Sequence, residues 1–335
     1  MLCELAHSFP PRVAELLERD RNLTRNFREE SVTDLLMASL IGLEAFGIRV
    51  DFPDEPTTGG DMEWIYAAPL EANGGRYLRL MLQAKRAQYA KLKNGGYWYY
   101  QHLDHGNPLG SQAQTLVSRA TSLGSAATLP LYIFYHPFAA TMPISTGLPA
   151  VEGINFVFAD LVAPVVKGGC KRKEKRLDRW RRHFLPLSDL LCWPVAITSS
   201  APPPPSDATR FIVDGVEARL LPLTGGFHPD IVADRLNKRR DSSRSLTPDV
   251  WERHEDAKPQ TSDVEEGSED SRPSFAGPER RFIKPADGIP DEIHRAIEGK
   301  ATREDRQKLK RPRVVLTTWT SLEDSDFPVV DAFSR

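Results

Sequence analysis

Three polar side chains have the types and spacing for metal-assisted hydrolysis: Asp61, which follows Gly59-Gly60, and Gln83 and Lys85, which end the apolar run Leu78-Arg79-Leu80-Met81-Leu82. Residues two apart on a strand face the same side, so Gln83 and Lys85 share a face, and a neighbouring strand opening at Asp61 lets all three converge. Hydrolysing a phosphodiester at neutral pH needs a generated nucleophile and neutralisation of charge on the phosphoryl oxygens, and a divalent cation supplies both. Asp61, the side-chain oxygen of Gln83, the main-chain carbonyl of Ala84 and one further carboxylate form an all-oxygen set that suits Mg2+, with Mn2+ as a substitute. Lys85, close to cation and phosphate, then orients the attacking water or stabilises the pentacovalent state electrostatically. The further carboxylate is Glu29 or Glu30, both at the start of an earlier helix, and the sequence leaves the choice open.

These residues need a frame to hold them. The chain has 335 residues and a mass of 37.6 kDa, enough to bury a substantial core, and its net charge of −2 says nothing for or against nucleic acid. Cys3, Cys170 and Cys192 are widely spaced and form no CxxC pair, which argues against a disulfide framework and against a structural zinc site. The first residues lack the basic-then-apolar run of a signal peptide, and no apolar stretch approaches the roughly 18 residues of a membrane span, so a soluble cytoplasmic protein is expected.

In order, Pro10-Pro11 open a short amphipathic helix through Leu17, and a second helix runs from about Arg28 to Gly47 with its acidic end first. Ile48 to Phe52 alternates like a strand and precedes the strands that carry Asp61 and Gln83. An aromatic and polar stretch, Tyr97 to His105, leads to a helix from Ser111 through Ala120, and Leu129 to Tyr135 reads as a buried strand. Ile154 to Ala159 is a further strand. Four prolines, Pro202 to Pro205, mark a stiff spacer, and Phe211 to Leu223 alternates as a strand or hairpin. Residues 239–279 are rich in Ser, Asp, Glu and Pro and cannot offset their ordering entropy. Charged helices from Pro290 to Lys310 and a last strand, Arg313 to Trp319, follow. The chain therefore divides into a domain over 1–200, a linker with a short strand segment over 201–238, a disordered segment over 239–280 and a helical and strand extension over 281–335.

The order of a glutamate-headed helix, a strand opening with Asp, a strand ending in Gln-x-Lys, then helix and strand resembles the core of the PD-(D/E)XK restriction-endonuclease-like superfamily. The Gln-x-Lys form is similar to that of Mrr-type enzymes. The likeness rests on Glu-Glu-Ser-Val-Thr-Asp, Gly-Gly-Asp-Met-Glu-Trp, Leu-Gln-Ala-Lys-Arg and Leu-Tyr-Ile-Phe-Tyr, within residues 29–137, about a third of the chain. It implies an α/β fold with a restriction-endonuclease-like core, a central mixed β-sheet flanked by helices, and a partly disordered C-terminal extension. It also implies a metal-dependent endonuclease acting on DNA in the cytoplasm, with a role in bacterial anti-phage defence. By that resemblance Asp61, Gln83 and Lys85 map to the catalytic trio and Glu29, or Glu30, to the helix glutamate. The superfamily's Pro-Asp is Gly60-Asp61 here.

Taken singly, each residue has a plain structural explanation: Asp61 in a turn, Gln83 and Lys85 on a solvated edge, Glu29 and Glu30 favouring a helix N-terminus. The ordered set is what points to a nuclease. An inactive nuclease-fold module that binds nucleic acid or a partner protein is the alternative, and a homo-oligomer fits either. Glu63 shares the face of Asp61. Gln112, and beside it Gln114, head the following helix in reach of a site or of a nucleic-acid backbone. Lys171, Arg172, Lys173, Lys175 and Arg176 form the strongest basic run, suited to phosphates, although Glu174 and Asp178 dilute it. Trp98, Tyr99 and Tyr100 serve as base-stacking surfaces or as packing. His102 and His105 lack a third ligand nearby, which argues against zinc there.

Overall fold

The computed structural model describes residues 2–21, 23, 27–53, 61–93, 95–107, 110–124, 126–166, 171–192, 209–213, 216–220, 227–245, 282–309 and 311–318. The N-terminal half of the chain forms α1 (Leu2–Asp20), α2 (Glu29–Ile41), β1 (Ile48–Asp51), β2 (Asp61–Ala68), β3 (Arg76–Arg86), a hairpin of β4 (Gln88–Leu92) and β5 (Gly95–Tyr99), a small ladder of β6 (Gly106–Asn107) and β7 (Gly110–Ser111), and α3 (Gln112–Ser122). There follow β8 (Thr128–Tyr135), β9 (Ile154–Phe158), α4 (Ala159–Val166), α5 (Leu177–Arg181), β10 (Leu185–Pro186), α6 (Ser188–Leu191), a hairpin of β11 (Thr209–Val213) and β12 (Val216–Leu220), α7 (Pro229–Ser245), β13 (Ala286–Asp287), α8 (Asp291–Ile297), α9 (Arg303–Lys308) and β14 (Arg313–Thr317).

Eight strands make one mixed sheet in the order β1-β14-β2-β3-β8-β9-β10, with β13 paired to β3. Strands β2 and β3 are antiparallel, and the turn between them passes through three left-handed residues, Asn73 (φ 58°), Gly74 (φ 83°) and Gly75 (φ 82°). At Gly75 a side chain would also crowd Ile289, so glycine serves both conformation and packing there. The proline-bounded run of β8 is buried throughout and lies parallel to β3, as a strand covered on both faces should. Alternation along β3 divides the core. Leu78, Leu80, Leu82 and Ala84 pack with α1, α2, α6 and α7, whereas Met81 faces Tyr132, Phe134 and the helices α3, α4 and α5. The result is an α/β fold with a central mixed sheet flanked by helices.

Three expectations are corrected. Helix α1 begins at Leu2, with Pro10 and Pro11 inside it. Each proline removes one helical N–H donor, and the helix packs so closely on Gly153 that a Cβ there would run into the Pro10 carbonyl. Next, the C-terminal segment is no appendage: β14 lies between β1 and β2, antiparallel to the first and parallel to the second. The boundary drawn at residue 200 therefore cuts through one sheet. Finally, residues 229–245 form α7, which buries Val232, Ala233 and Leu236 in the main core, so 239–245 is helical. Its Asn237 exchanges two hydrogen bonds with the main chain of Ile283, at 2.9 and 3.0 Å. Residues 246–280, the rest of the segment expected to be disordered, lie outside the described residues. No helix among the described residues is long and apolar enough to cross a membrane.

Two predictions follow from this packing. In Gly153→Ala the Pro10 carbonyl or the approach to β9 must shift, and the unfolding free energy should fall by about 1–3 kcal/mol, read as a lower urea midpoint at unchanged slope. Burial lowers His136, and burial with the charges of Arg182 and Arg179 lowers His183, each to about 4; burial also lowers His228. His136 and His183 stay neutral in the fold well below the pH near 6.5 at which the unfolded chain protonates, so stability should decline as pH falls from about 6.5 to about 4, with His136→Gln flattening that slope in urea titrations.

Candidate active site

The register sets Asp61 directly opposite Gln83, so the two positions share one face of the sheet, and Lys85 stands two residues further along the same face. Strand β2 begins at Asp61, so among the described residues Ala84 to Arg86 have a ladder partner only on the β8 side. Gln83 and Lys85 are 6% and 4% exposed, a covered setting for an amide and an ammonium. The Lys85 ammonium donates to Gln112 Oε1 at 2.9 Å. Helix α3 delivers that acceptor through a capping box, in which Ser111 Oγ accepts from Gln114 N–H and Gln114 Oε1 accepts from Ser111 N–H. Gln114 is thus engaged in ending the helix, and Gln112 is left facing the lysine.

Glu29 is the helix glutamate that reaches β3: its Oε1 accepts from the Arg86 N–H at 3.1 Å. Glu30 instead lies within electrostatic range of Asp34, whose carboxyl is raised mainly by burial and secondarily by Glu30. Arg86 does more than bind Glu29. Its guanidinium pairs with Asp20 at 2.5 Å and donates to the Phe27 carbonyl, while Asp20 Oδ1 accepts from Phe27 N–H. Asp20 is fully buried. One arginine therefore ties the end of α1, the start of α2 and the end of β3 together, and so sets where Glu29 sits relative to Lys85.

Beside this cluster runs a row of charges on the same face. Glu63 accepts from Arg313 Nε at 2.8 Å, and Arg313 is in register with Asp51 on β1. Burial raises the Asp51 carboxyl, with Arg313 the strongest opposing charge. Glu63 is therefore paired to the C-terminal strand. Asp20, Arg86 and Arg313 are the positioning residues that sequence reasoning missed. Arg86 adjoins Lys85, but nothing in the sequence names a partner 66 residues earlier, and the partner of Glu63 comes from a strand 250 residues away.

Of the basic run, Lys171, Arg172 and Lys173 are exposed, whereas Lys175 pairs with Asp104 at 2.6 Å and Arg176 with Asp178 at 2.8 Å. The run packs on the chain that leads from the β4–β5 hairpin to Gln112: Tyr100 N–H donates to the Lys175 carbonyl, and Arg176 lies over the Tyr97 ring. In the hairpin Tyr89 packs against Trp98, and Arg21 covers Trp98 at 5.0 Å from its ring centre. Tyr100 is buried, with its hydroxyl 2.7 Å from His136 Nε2. His102 and His105 meet edge to face and belong to no three-ligand group; among the described residues the one such group is Cys3, His7 and Cys192. Cys3 and Cys192 are joined by a disulfide, contrary to expectation. Their 189-residue separation hides that α1 packs beside α6.

The chain belongs to a protein family defined by sequence, the match extending over residues 2–320. That family is DUF6615, a family of unknown function. No curated protein and no solved structure matches the chain. The match spans α1 to β14, in keeping with a sheet that needs both ends of the chain.

Removing the carboxylate of the Asp20–Arg86 pair strands a nearly buried guanidinium. Asp20→Ala should cost about 3–5 kcal/mol in chemical denaturation, well beyond the effect of truncating an exposed carboxylate such as Glu304.

Proposed function

We propose that the protein is a metal-dependent nuclease of the restriction-endonuclease-like type, hydrolysing phosphodiester bonds of DNA. The observation that supports this reading best is the β2–β3 register, which sets Asp61 against Gln83 with Lys85 on the same face, while Glu29 meets the end of the same strand. By residue type, Asp61 and Glu29, Gln83 and the Ala84 carbonyl make an all-oxygen set that suits Mg2+ or Mn2+. Such an ion supplies a water of lowered pKa and neutralises phosphoryl charge. The chain's own residues do the rest. Asp61, Gln83 and Glu29 would hold the ion, Lys85 would present a positive charge to the developing pentacovalent phosphate, and Gln112 directs that ammonium. The exposed Lys171, Arg172 and Lys173 offer contacts to the phosphate backbone that carry no sequence information. Cutting foreign DNA in the cytoplasm, as in anti-phage defence, is the role that fits such an activity.

One observation favours a second reading. Gln83 and Lys85 are nearly covered, and a scissile phosphate must reach them. A module that binds nucleic acid or a partner protein without cutting would leave them so.

The deciding experiment is cleavage of plasmid DNA with Mg2+ or Mn2+. The wild type should cut, chelation should stop it, and Asp61→Ala or Lys85→Ala should lower the rate by about 100-fold or more with the fold retained by circular dichroism. Full activity in either variant overturns the nuclease assignment. Binding without cleavage under both ions, unchanged by Asp61→Ala, establishes the second reading.

A further inference from the structure

Helix α1 carries a second donor cluster at the end away from Asp20. Cys3 and His7 are four residues apart and so lie side by side on one face of the helix. Cys192, just after α6, completes the group, and the three ligand atoms lie within 4.8 Å of one another. From Cys3 to Asp20 the helix rises on the order of 25 Å, so this cluster is separate from the one around Lys85.

The composition of the cluster is that of a soft-metal site, with two sulfurs and one imidazole nitrogen. Zinc bonds sulfur at about 2.3 Å and nitrogen at about 2.0 Å, which for tetrahedral angles sets the sulfur–nitrogen edge at about 3.6 Å and the sulfur–sulfur edge at about 3.8 Å. The distance from Cys192 Sγ to His7 Nε2 is 3.6 Å, already that edge. The two bonded sulfurs must move apart to reach their own edge, which reduction of the bond between them allows. The surroundings hold the ligands firmly. Arg235 donates to the carbonyls of Cys192 and Asp189, at 2.7 and 2.6 Å, and anchors the turn that carries the second sulfur. His7 is exposed, which leaves the solvent side open for a water as fourth ligand. Glu152 lies within electrostatic range of His7, the kind of carboxylate neighbour that steadies a ligating imidazole.

We propose that Cys3, His7 and Cys192 form, in the reduced protein, a binding site for a thiophilic divalent cation, zinc by its donor chemistry, and that the disulfide is the oxidised form of the same site. The conversion balances with a dithiol reductant. The Cys3–Cys192 bond accepts two electrons and two protons, the reductant becomes a disulfide, and the entering cation displaces the two thiol protons to solvent. In a reducing cytoplasm disulfides are rare, so the thiol form is the one available there. The inference is independent of the nuclease reading.

The test uses the full chain, reduced with a phosphine, stripped of metal and titrated with Zn2+ alone, with bound zinc counted by elemental analysis. One equivalent per chain is expected, and Co2+ in its place should give thiolate charge-transfer absorption. His7→Ala, at an exposed helical position, should weaken binding at least tenfold without unfolding the protein, and Cys3→Ser should do so too. Cys170→Ser should bind as wild type does, and reoxidation should release the ion. No stoichiometric zinc in the reduced chain, or wild-type affinity in His7→Ala, overturns the proposal.

Discussion

Strand β3 is paired on both sides over most of its length and covered on both faces, and this constraint orders everything else. A slip of one residue would exchange Gln83 and Lys85 for Leu82 and Ala84, burying polar groups against α2 and turning leucines toward α3. The apolar residues of the strand therefore hold the register, and the polar residues at its end inherit their positions from it. Packing along the first part of β3 fixes chemistry at the last part.

The polar end of β3 is held by contacts that are short and mostly buried. Arg86 clasps Asp20, Phe27 and Glu29, and Lys85 meets Gln112; on the neighbouring β2, Glu63 meets Arg313. These partners arrive from α1, α2, α3 and β14. Paired this way, the charges avoid most of the penalty of burial without partners, and the geometry they set up is shared among four elements rather than resting on one loop.

Much of this was legible in the sequence where local pattern decides the outcome. The apolar run of β8, the alternation of β1, the start of α3 at Ser111 and the order in which Glu29, Asp61, Gln83 and Lys85 occur all report on nearby residues. What stayed hidden depends on distance. Arg313-Val-Val-Leu-Thr reads as a strand, but no local property says that it enters between β1 and β2. Helix α7 has a single narrow apolar stripe, Val232, Ala233 and Leu236, in a run of charges, and its burial is decided by the sheet. Cys3 and Cys192 look unrelated until α1 and α6 are side by side. The prolines at 10 and 11 misplace the start of α1 because proline favours a first helical turn, whereas this helix runs on through both.

The place of β14 has a consequence for how the protein is made. On a ribosome the chain emerges from its N-terminus, and β1 and β2 cannot be joined until residues 311–318 arrive to fill the gap between them. The strand that opens at Asp61 thus stays unpaired along one side until that segment has been made. A chain broken off early keeps the residues of the candidate site but not the strand that holds Glu63 through Arg313. The central sheet closes only after a segment some 250 residues downstream of Glu63 has been made, so pairing of its N-terminal strands is bound to wait.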